Sequence, residues 1–501
     1  MNPRLLIFIT ALSILVSCEN NENSPSNLIE SAAIHEERGL RTTSEEILPG
    51  FILFTPLIGD TTYLINRDGL VVHTWKGRYG PSSTYLLPDG HLLRGGRDPD
   101  APRFAGGGKG GIIEKFNWQG EVVWSYELAN YERLLHHDFE VMPNGNILAI
   151  AWEKRTKTES MAAGRRSEET PEDGLWPDII IEIEPQEHGG GRIVWEWRAW
   201  DHMVQDTNPD LPNYGRPIDF PHKIDINAGP PLPETTTEQL DALKAIGRSA
   251  PLATIGNQGS DMHHSNAIAY NAALDQIAIS VRRLSEIWII DHSIGTEEAK
   301  GAAGDLLYRW GNPRSYGHPT PNKVGLGAQH DIRWVPEGYP GAGNLTVFSN
   351  NAVGAIPPYS EIIEFTPPIS IDGTYYIEPE KPFGPKDIVW KYADSYHSPF
   401  ISGAHRLANG NTLIDYGPQG RFVEVNSNAD IVWEYWSPYS GDVRLPGGFT
   451  PQPVIPFMYS VFRATFIPDD HPGIANKDLQ PLSPQPEPSI LNEEELAPFV
   501  N

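Results

Sequence analysis

Residues 112–126 read IIEKFNWQGEVVWSY and residues 136–148 read HHDFEVMPNGNIL. In each run, short apolar strands flank a tight Gly-containing turn, the pattern of a β-hairpin. The pair recurs along the chain. Runs ending in the same Trp-bearing strand are YLINRDGLVVHTW (63–75), IIIEIEPQEHGGGRIVWEW (179–197), 287–310, 362–392 and FVEVNSNADIVWEY (422–435). Their companions are 83–93, MHHSNAIAYNAALDQIAIS (262–280), AQHDIRWVPEGYPGAGNLTVF (328–348), SGAHRLANGNTLI (402–414) and SVFRATFIPDD (460–470). That makes six copies of each half, hence six four-stranded units. Such units close as an all-β, six-bladed β-propeller, whose radial repetition leaves few bare strand edges. FILFTP (51–56) is expected to complete the last blade and close the ring. Trp75, Trp124, Trp195, Trp310, Trp390 and Trp433 share one repeat position, where packing between blades is the expected role.

Aligned on the turn, the residue six before its Pro, or the equivalent residue, is Ser82, His137, His264, His330, Ser402 and Phe462. This strand is the innermost of a blade, so equivalent positions surround the central axis. His137, His264 and His330, from consecutive blades, are therefore expected to point into one shared space. Hairpin pairing through 271–273 returns Arg282 to the level of His264, and Asn266 shares a strand face with it. Asn266, Ser402 and Phe462 are candidate substrate contacts. Glu140, Arg333 and His405 share a second repeat position, one step deeper or facing the opposite way. The connections 200–260, 311–328, 391–401 and 438–458, with the loop 155–177, gather at the histidine end. Long loops at one end of a rigid scaffold mark a functional face. Within the longest, TTEQLDALKAIG carries a Thr235…Glu238 capping box with apolar Leu240, Leu243 and Ile246, a short amphipathic helix.

The 501 residues carry 38 Lys and Arg against 65 Asp and Glu, a formal net charge of −27, which argues against a nucleic-acid partner. Cys18 is the single cysteine, so no internal disulfide or thiolate metal cluster is available. Residues 1–18 join a basic Arg4 to an apolar run too short to span a bilayer, the form of a secretory signal. Leu15-Val16-Ser17-Cys18 resembles a bacterial lipoprotein cleavage box. An exported lipoprotein of the cell envelope is expected, periplasmic or at the cell surface, held to membrane by a lipid on Cys18 alone. Residues 19–47 then read as a polar tether, 48–470 as the propeller, and 471–501 as a Pro- and Glu-rich tail outside the core.

Three histidines and an arginine fit three chemistries. A neutral imidazole is a competent nucleophile, and cationic neighbours stabilise an anionic sulfuryl or phosphoryl group in transfer. Three imidazoles also resemble an open zinc or manganese site, although Arg282 and Asn266 suit an anion better. A non-catalytic propeller that only captures a ligand is the third reading. No Walker-type loop or Asp-rich Mg²⁺ box is present.

The runs HHDFEVMPNGNIL, DMHHSNAIAYN, LYRWGNP…AQHDIRWVP…LTVFSNN and SGAHRLANGNTLI…FVEVNSNADIVWEY resemble the bacterial arylsulfate sulfotransferase family over most of residues 50–470. The resemblance implies a periplasmic six-bladed propeller moving a sulfuryl group from a phenolic sulfate ester to another phenol. It implies a covalent sulfohistidine, no nucleotide sulfate donor and no cofactor. Carried over by motif, the nucleophile falls on His330, the His-x-Asn pair on His264 and Asn266, the arginine on Arg282, and the HHD histidine on His137. The family's Phe-Asp-Asn appears here as Phe348-Ser349-Asn350, and His405 stands where relatives usually carry Gln; Asn350 and His405 complete the candidate substrate contacts.

Overall fold

The computed structural model describes residues 37–57, 59–98, 101–245, 252–319, 325–440 and 459–489. Six antiparallel sheets make up its blades. Their inner strands are Gly80–Leu86, Arg133–Val141, Ser265–Asn271, His330–Trp334, Gly403–Arg406 and Val461–Pro468, here blades 1 to 6 in that order. Consecutive inner strands pack on one another, and the sixth returns to the first, so the ring is closed. Blade 6 joins both ends of the chain: Val461–Pro468 pairs with Gly50–Pro56, Phe54 opposite Ala464, and Thr61–Asn66 and Val71–Lys76 follow outward.

The repeated tryptophans stitch neighbouring blades. The Nε1–H groups of Trp75, Trp124, Trp195, Trp310 and Trp433 donate to the carbonyls of Asn117, Gly190, Ile294, Pro385 and Arg67 at 2.8–3.1 Å. Each acceptor lies in the outer turn of the next blade. A buried indole keeps its one donor satisfied while its ring fills the wedge between sheets.

Three details depart from the sequence reading. Gly39–Thr43, inside the segment read as a tether, is a fifth strand on blade 5, with Leu40 opposite Tyr435. Residues 471–489 do not form a tail clear of the core. Ile474 is buried with Leu53, Leu64 and Val72, and the Gln485 amide bonds both backbone groups of Val71. Both additions cover outer strands that would otherwise present bare edges. The helix spans Thr237–Ala245, and its capping box is Thr236 with Gln239, one residue later than read. Leu240 is buried; Ile246, Gly247 and Cys18 lie outside the described residues. Among the described residues no helix is long and apolar enough to cross a membrane.

Register fixes where the chain enters. Across blade 5, Gly403, Asp415, Phe422, Tyr435 and Leu40 lie in one row. Strand Gly39–Thr43 therefore begins at the end of the propeller where the histidines sit.

Candidate active site

The repeat position that carries the histidines is irregular in nearly every blade. Register slips opposite His137, after Ser265 and after His330, and His137, His264, Asp331 and Ser402 hold φ of 55°, 54°, 56° and 90°. A bulge turns a side chain that would face a neighbouring sheet toward the axis. Left-handed backbone at a non-glycine residue is strained and persists where the surroundings enforce it.

Here it brings the predicted residues together. The His137 and His264 rings lie 4.5 Å apart, and the Phe462 ring is 6.1 Å from His137. Arg282 begins a 3-10 turn, and its N–H reaches the His264 carbonyl at 3.4 Å, the level expected from hairpin pairing. His330 and His137 are both about 3% exposed, so they sit well out of bulk water. Among the described residues the Arg282 guanidinium has no hydrogen-bond or ion-pair partner.

The partners assign the tautomers. The Asn350 amide donates to the carbonyls of Ser398 and Ile401 at 2.7 and 2.8 Å, so its Oδ1 is the atom 2.7 Å from His330 Nδ1. That oxygen can only accept; the proton is on Nδ1, and Nε2 keeps a free lone pair. Asp261 Oδ2 faces His264 Nδ1 in a short contact, while its Oδ1 accepts from Trp152 Nε1 and the His264 N–H, both at 3.1 Å. His136 Nδ1 lies 2.8 Å from His137 Nδ1, and Asp178 stands 3.3 Å from His136 Nε2. That carboxylate draws the His136 proton to Nε2, leaving Nδ1 to accept from His137. In their neutral forms all three cluster imidazoles thus carry N–H at Nδ1 and keep the lone pair on Nε2.

Burial, then the Arg282 charge, holds His330 well below the ordinary histidine value; the Asn350 hydrogen bond opposes this without winning. Burial and the neighbouring His264 do the same to His137. Burial raises Asp261, but His264 and its other cationic neighbours outweigh it and hold that carboxyl below its usual range.

Four candidate contacts take other places than expected. Asn350 lies behind His330 and orients it. Asn266 is fully buried, and its Nδ2 donates to the Gln329 carbonyl at 2.8 Å, tying blade 3 to the residue before His330. The Ser402 hydroxyl accepts from the Gly417 N–H at 3.0 Å. His405 lies deeper along the axis: its Nε2 accepts from the Phe466 N–H at 3.3 Å, and burial, offset in part by Asp331, takes it down to about 4. It belongs to a polar layer beneath the cluster, so the choice between deeper and opposite falls on deeper.

The hub of that layer is Arg463, which the sequence reading passed over. Its guanidinium pairs with Asp138 at 2.7 Å and Asp331 at 2.8 Å, and Nη1 donates to Tyr85 at 2.9 Å. Asp138 and Asp331 immediately follow His137 and His330, and each accepts from the next blade, at Ile268 N and Ala404 N. Asp261, His136 and Asp178 were also missed. The doubled histidines His136-His137 and His263-His264, the latter with Asp261 just upstream, were the available signal. No three His, Cys, Asp or Glu side chains among the described residues are grouped to hold a metal ion.

A closed six-bladed propeller with imidazoles and a guanidinium at one mouth defines a class of axial-site proteins. Among these, the chain belongs to the arylsulfotransferase (ASST) family, whose profile matches residues 59–436. No curated protein matches it significantly. The chain is also similar, at low identity, to solved structures. A protein of unknown function from Bacteroides caccae is 12% identical, covering 78% of this chain and 94% of that one, with a TM-score of 0.40. Virginiamycin B lyase from Staphylococcus aureus is 13% identical, covering 80% and 85%, at 0.35. A periplasmic gluconolactonase from Pseudomonas aeruginosa is 8% identical, covering 84% and 99%, at 0.40.

Proposed function

We propose that the protein moves a sulfuryl group from a phenolic sulfate ester to a phenolic acceptor through a sulfated His330, with no nucleotide sulfate donor. Family membership supports the aryl sulfate and phenol classes. The observation that carries the step is a buried His330 whose Nδ1–H is fixed by Asn350, and which burial and the Arg282 charge hold in its neutral form.

In the donor step the His330 Nε2 lone pair forms the N–S bond as the S–O bond to the aryl group breaks. His264 enters this step as an imidazolium, and the leaving phenolate takes the proton from its Nε2, while Asp261 supplies the counter charge behind Nδ1. Arg282 neutralises the sulfuryl oxygens in a site that excludes water. In the acceptor step a phenol returns its proton to His264 Nε2 and attacks sulfur, and the N–S electrons go back to His330. His137 adds a third imidazole at the leaving oxygen, and Phe462 an apolar wall against the aryl ring. Ping-pong kinetics follow.

The test is intact mass after mixing with 4-nitrophenyl sulfate and no acceptor. One added sulfuryl group, mapped to the peptide containing His330 and discharged by phenol, is expected. An unmodified chain that still turns over would sink the covalent route.

The pH dependence has a defined sign. A depressed histidine stays unprotonated until the pH falls to its own lowered value, so the nucleophile survives acidification through the ordinary value near 6.5. Single-turnover sulfation of His330 by 4-nitrophenyl sulfate, whose leaving group needs little proton help, should therefore hold steady from pH 8 to about 6 and fall only at lower pH. An acid limb centred near 6.5 in that half-reaction would contradict the neutral, buried assignment.

We further propose that the chain is exported and held by a lipid on Cys18. The signal-like residues 1–18 support this, and strand Gly39–Thr43 joins the propeller from the histidine end.

A further inference from the structure

The segment Ala105-Gly106-Gly107-Gly108-Lys109-Gly110-Gly111 crosses the histidine cluster between strands Leu92–Arg97 and Gly111–Phe116 of blade 1. It is pinned on both sides. Phe104 is fully buried, stacked on Trp152 at 5.9 Å and edge-on to Trp176 at 5.2 Å. On the other side the His137 N–H donates to the Gly108 carbonyl at 2.8 Å, and the Gly110 N–H to that of Leu135 at 3.0 Å.

Two of the three consecutive glycines have a packing reason. A Cβ at Gly106 would fall 2.5 Å from the Trp152 ring. Gly108 has φ of +72°, and a Cβ there would lie 2.0, 2.1 and 2.2 Å from Nε2, Cε1 and Cδ2 of His137. Near-equal distances to three ring atoms place it over the ring face, so Gly108 covers that face and leaves the in-plane lone pair of Nε2 clear. Gly107 has neither reason. Its φ lies outside the left-handed region, and its residue is exposed. Among the described residues a Cβ would meet only His264, at 3.3 Å from Cε1 and 3.8 Å from Nε2, with nothing else within 4 Å. The missing side chain therefore keeps one volume empty: the space beside the His264 atom that exchanges a proton with the phenolic oxygen.

We propose that Gly107 determines aryl specificity, holding open the space into which the ring of donor or acceptor extends from its oxygen at His264 Nε2. The assignment rests on the sulfuryl-transfer reading above. An aryl group bound there lies along the flat backbone of the glycine strip, and bulk next to the ester oxygen is admitted because residue 107 carries none. A methyl group at that point competes with substrate atoms nearest the reacting oxygen and less with a substituent at the far end of the ring.

The experiment compares kcat/KM for 4-nitrophenyl sulfate, slim beside its oxygen, and 2,6-dimethylphenyl sulfate, bulky there, with phenol as acceptor. The full chain is used as wild type, Gly107→Ala and Gly107→Val. A misplaced methylene in a shaped pocket discriminates by about ten- to hundredfold. Gly107→Ala should therefore slow both donors but lower the bulky-to-slim ratio by roughly tenfold, and Gly107→Val should lower it further. The rate of His330 sulfation by each donor in single turnover should follow the same order, with the melting temperature unchanged. A ratio that stays flat across the series, whether both donors fall together or neither falls, overturns the assignment while the transfer reading stands. A wild-type chain that transfers no sulfuryl group from either donor overturns both.

Discussion

Replacing His330 with alanine is expected to lower sulfuryl transfer by roughly 10⁴- to 10⁶-fold and to remove the sulfated protein entirely. Alanine leaves Arg282 and the other imidazoles in place, so donor binding should fall much less than turnover. What disappears is the one lone pair aimed at sulfur. A neutral imidazole at that point costs nothing to deprotonate, because burial and the Arg282 charge already keep it unprotonated. Asn350 keeps the proton on the far nitrogen, and its oxygen faces the positive charge the ring acquires on sulfation. No second imidazole has this set of neighbours: His264 is backed by a carboxylate and His137 by another histidine. Transfer to phenol by His330→Ala within about tenfold of wild type, or a sulfated peptide elsewhere in that variant, would place the nucleophile on another residue.

Much of this arrangement was legible in the sequence because a propeller is periodic. Six turns at comparable spacing fix the strand order, and a closed ring sends equivalent inner residues to one axis. His137, His264 and His330 could thus be gathered from positions almost two hundred residues apart. Arg282 followed from counting residues back from one hairpin turn. Periodicity is silent on contacts between non-equivalent positions. Asp178, on the second-from-outer strand of blade 2, stands beside His136 and also accepts from Ser265 N–H in blade 3, and no spacing announces this. Arg463 stands one residue after the histidine row, level with Asp138 and Asp331, so its pairing with both carboxylates was readable from the repeat, whereas its bonds to Tyr85 and the Asn266 carbonyl were not. Asn350 was visible as the retained Asn of a family motif that departs at Ser349, but not as the orienter of His330, since that depends on two loop carbonyls fixing its amide. The Thr235…Glu238 box has an equally spaced neighbour one residue on, Thr236 with Gln239, and that second pair is the one formed. The docking of 471–489 relies on Ile474, Leu479 and Leu482, apolar residues too sparse in a Pro-rich segment to read as core.

Exchanging Asp261 for asparagine is expected to cost about 10²- to 10⁴-fold in turnover, with His330 sulfation slowed for donors whose phenolate is a poor leaving group. The substitution keeps shape. Asn Oδ1 still accepts from Trp152 Nε1 and the His264 N–H, so the loop before His264 stays in place. The change falls on Oδ2, where an –NH₂ group now meets His264 Nδ1. Two donors cannot face each other, so the imidazole moves its proton to Nε2 and presents Nδ1 as acceptor. A neutral His264 in that tautomer cannot take a proton at Nε2 from the acceptor phenol. It also lacks the carboxylate that offsets an imidazolium during proton transfer to the leaving oxygen. The donor series separates the two jobs. A nitrophenolate leaves without much help, whereas an unsubstituted phenolate needs the proton, so the defect should grow steeply with leaving-group basicity in Asp261→Asn and weakly in wild type. Loss confined to KM, or an equal defect for every donor, would mean that Asp261 only holds the loop and that the proton travels through His137.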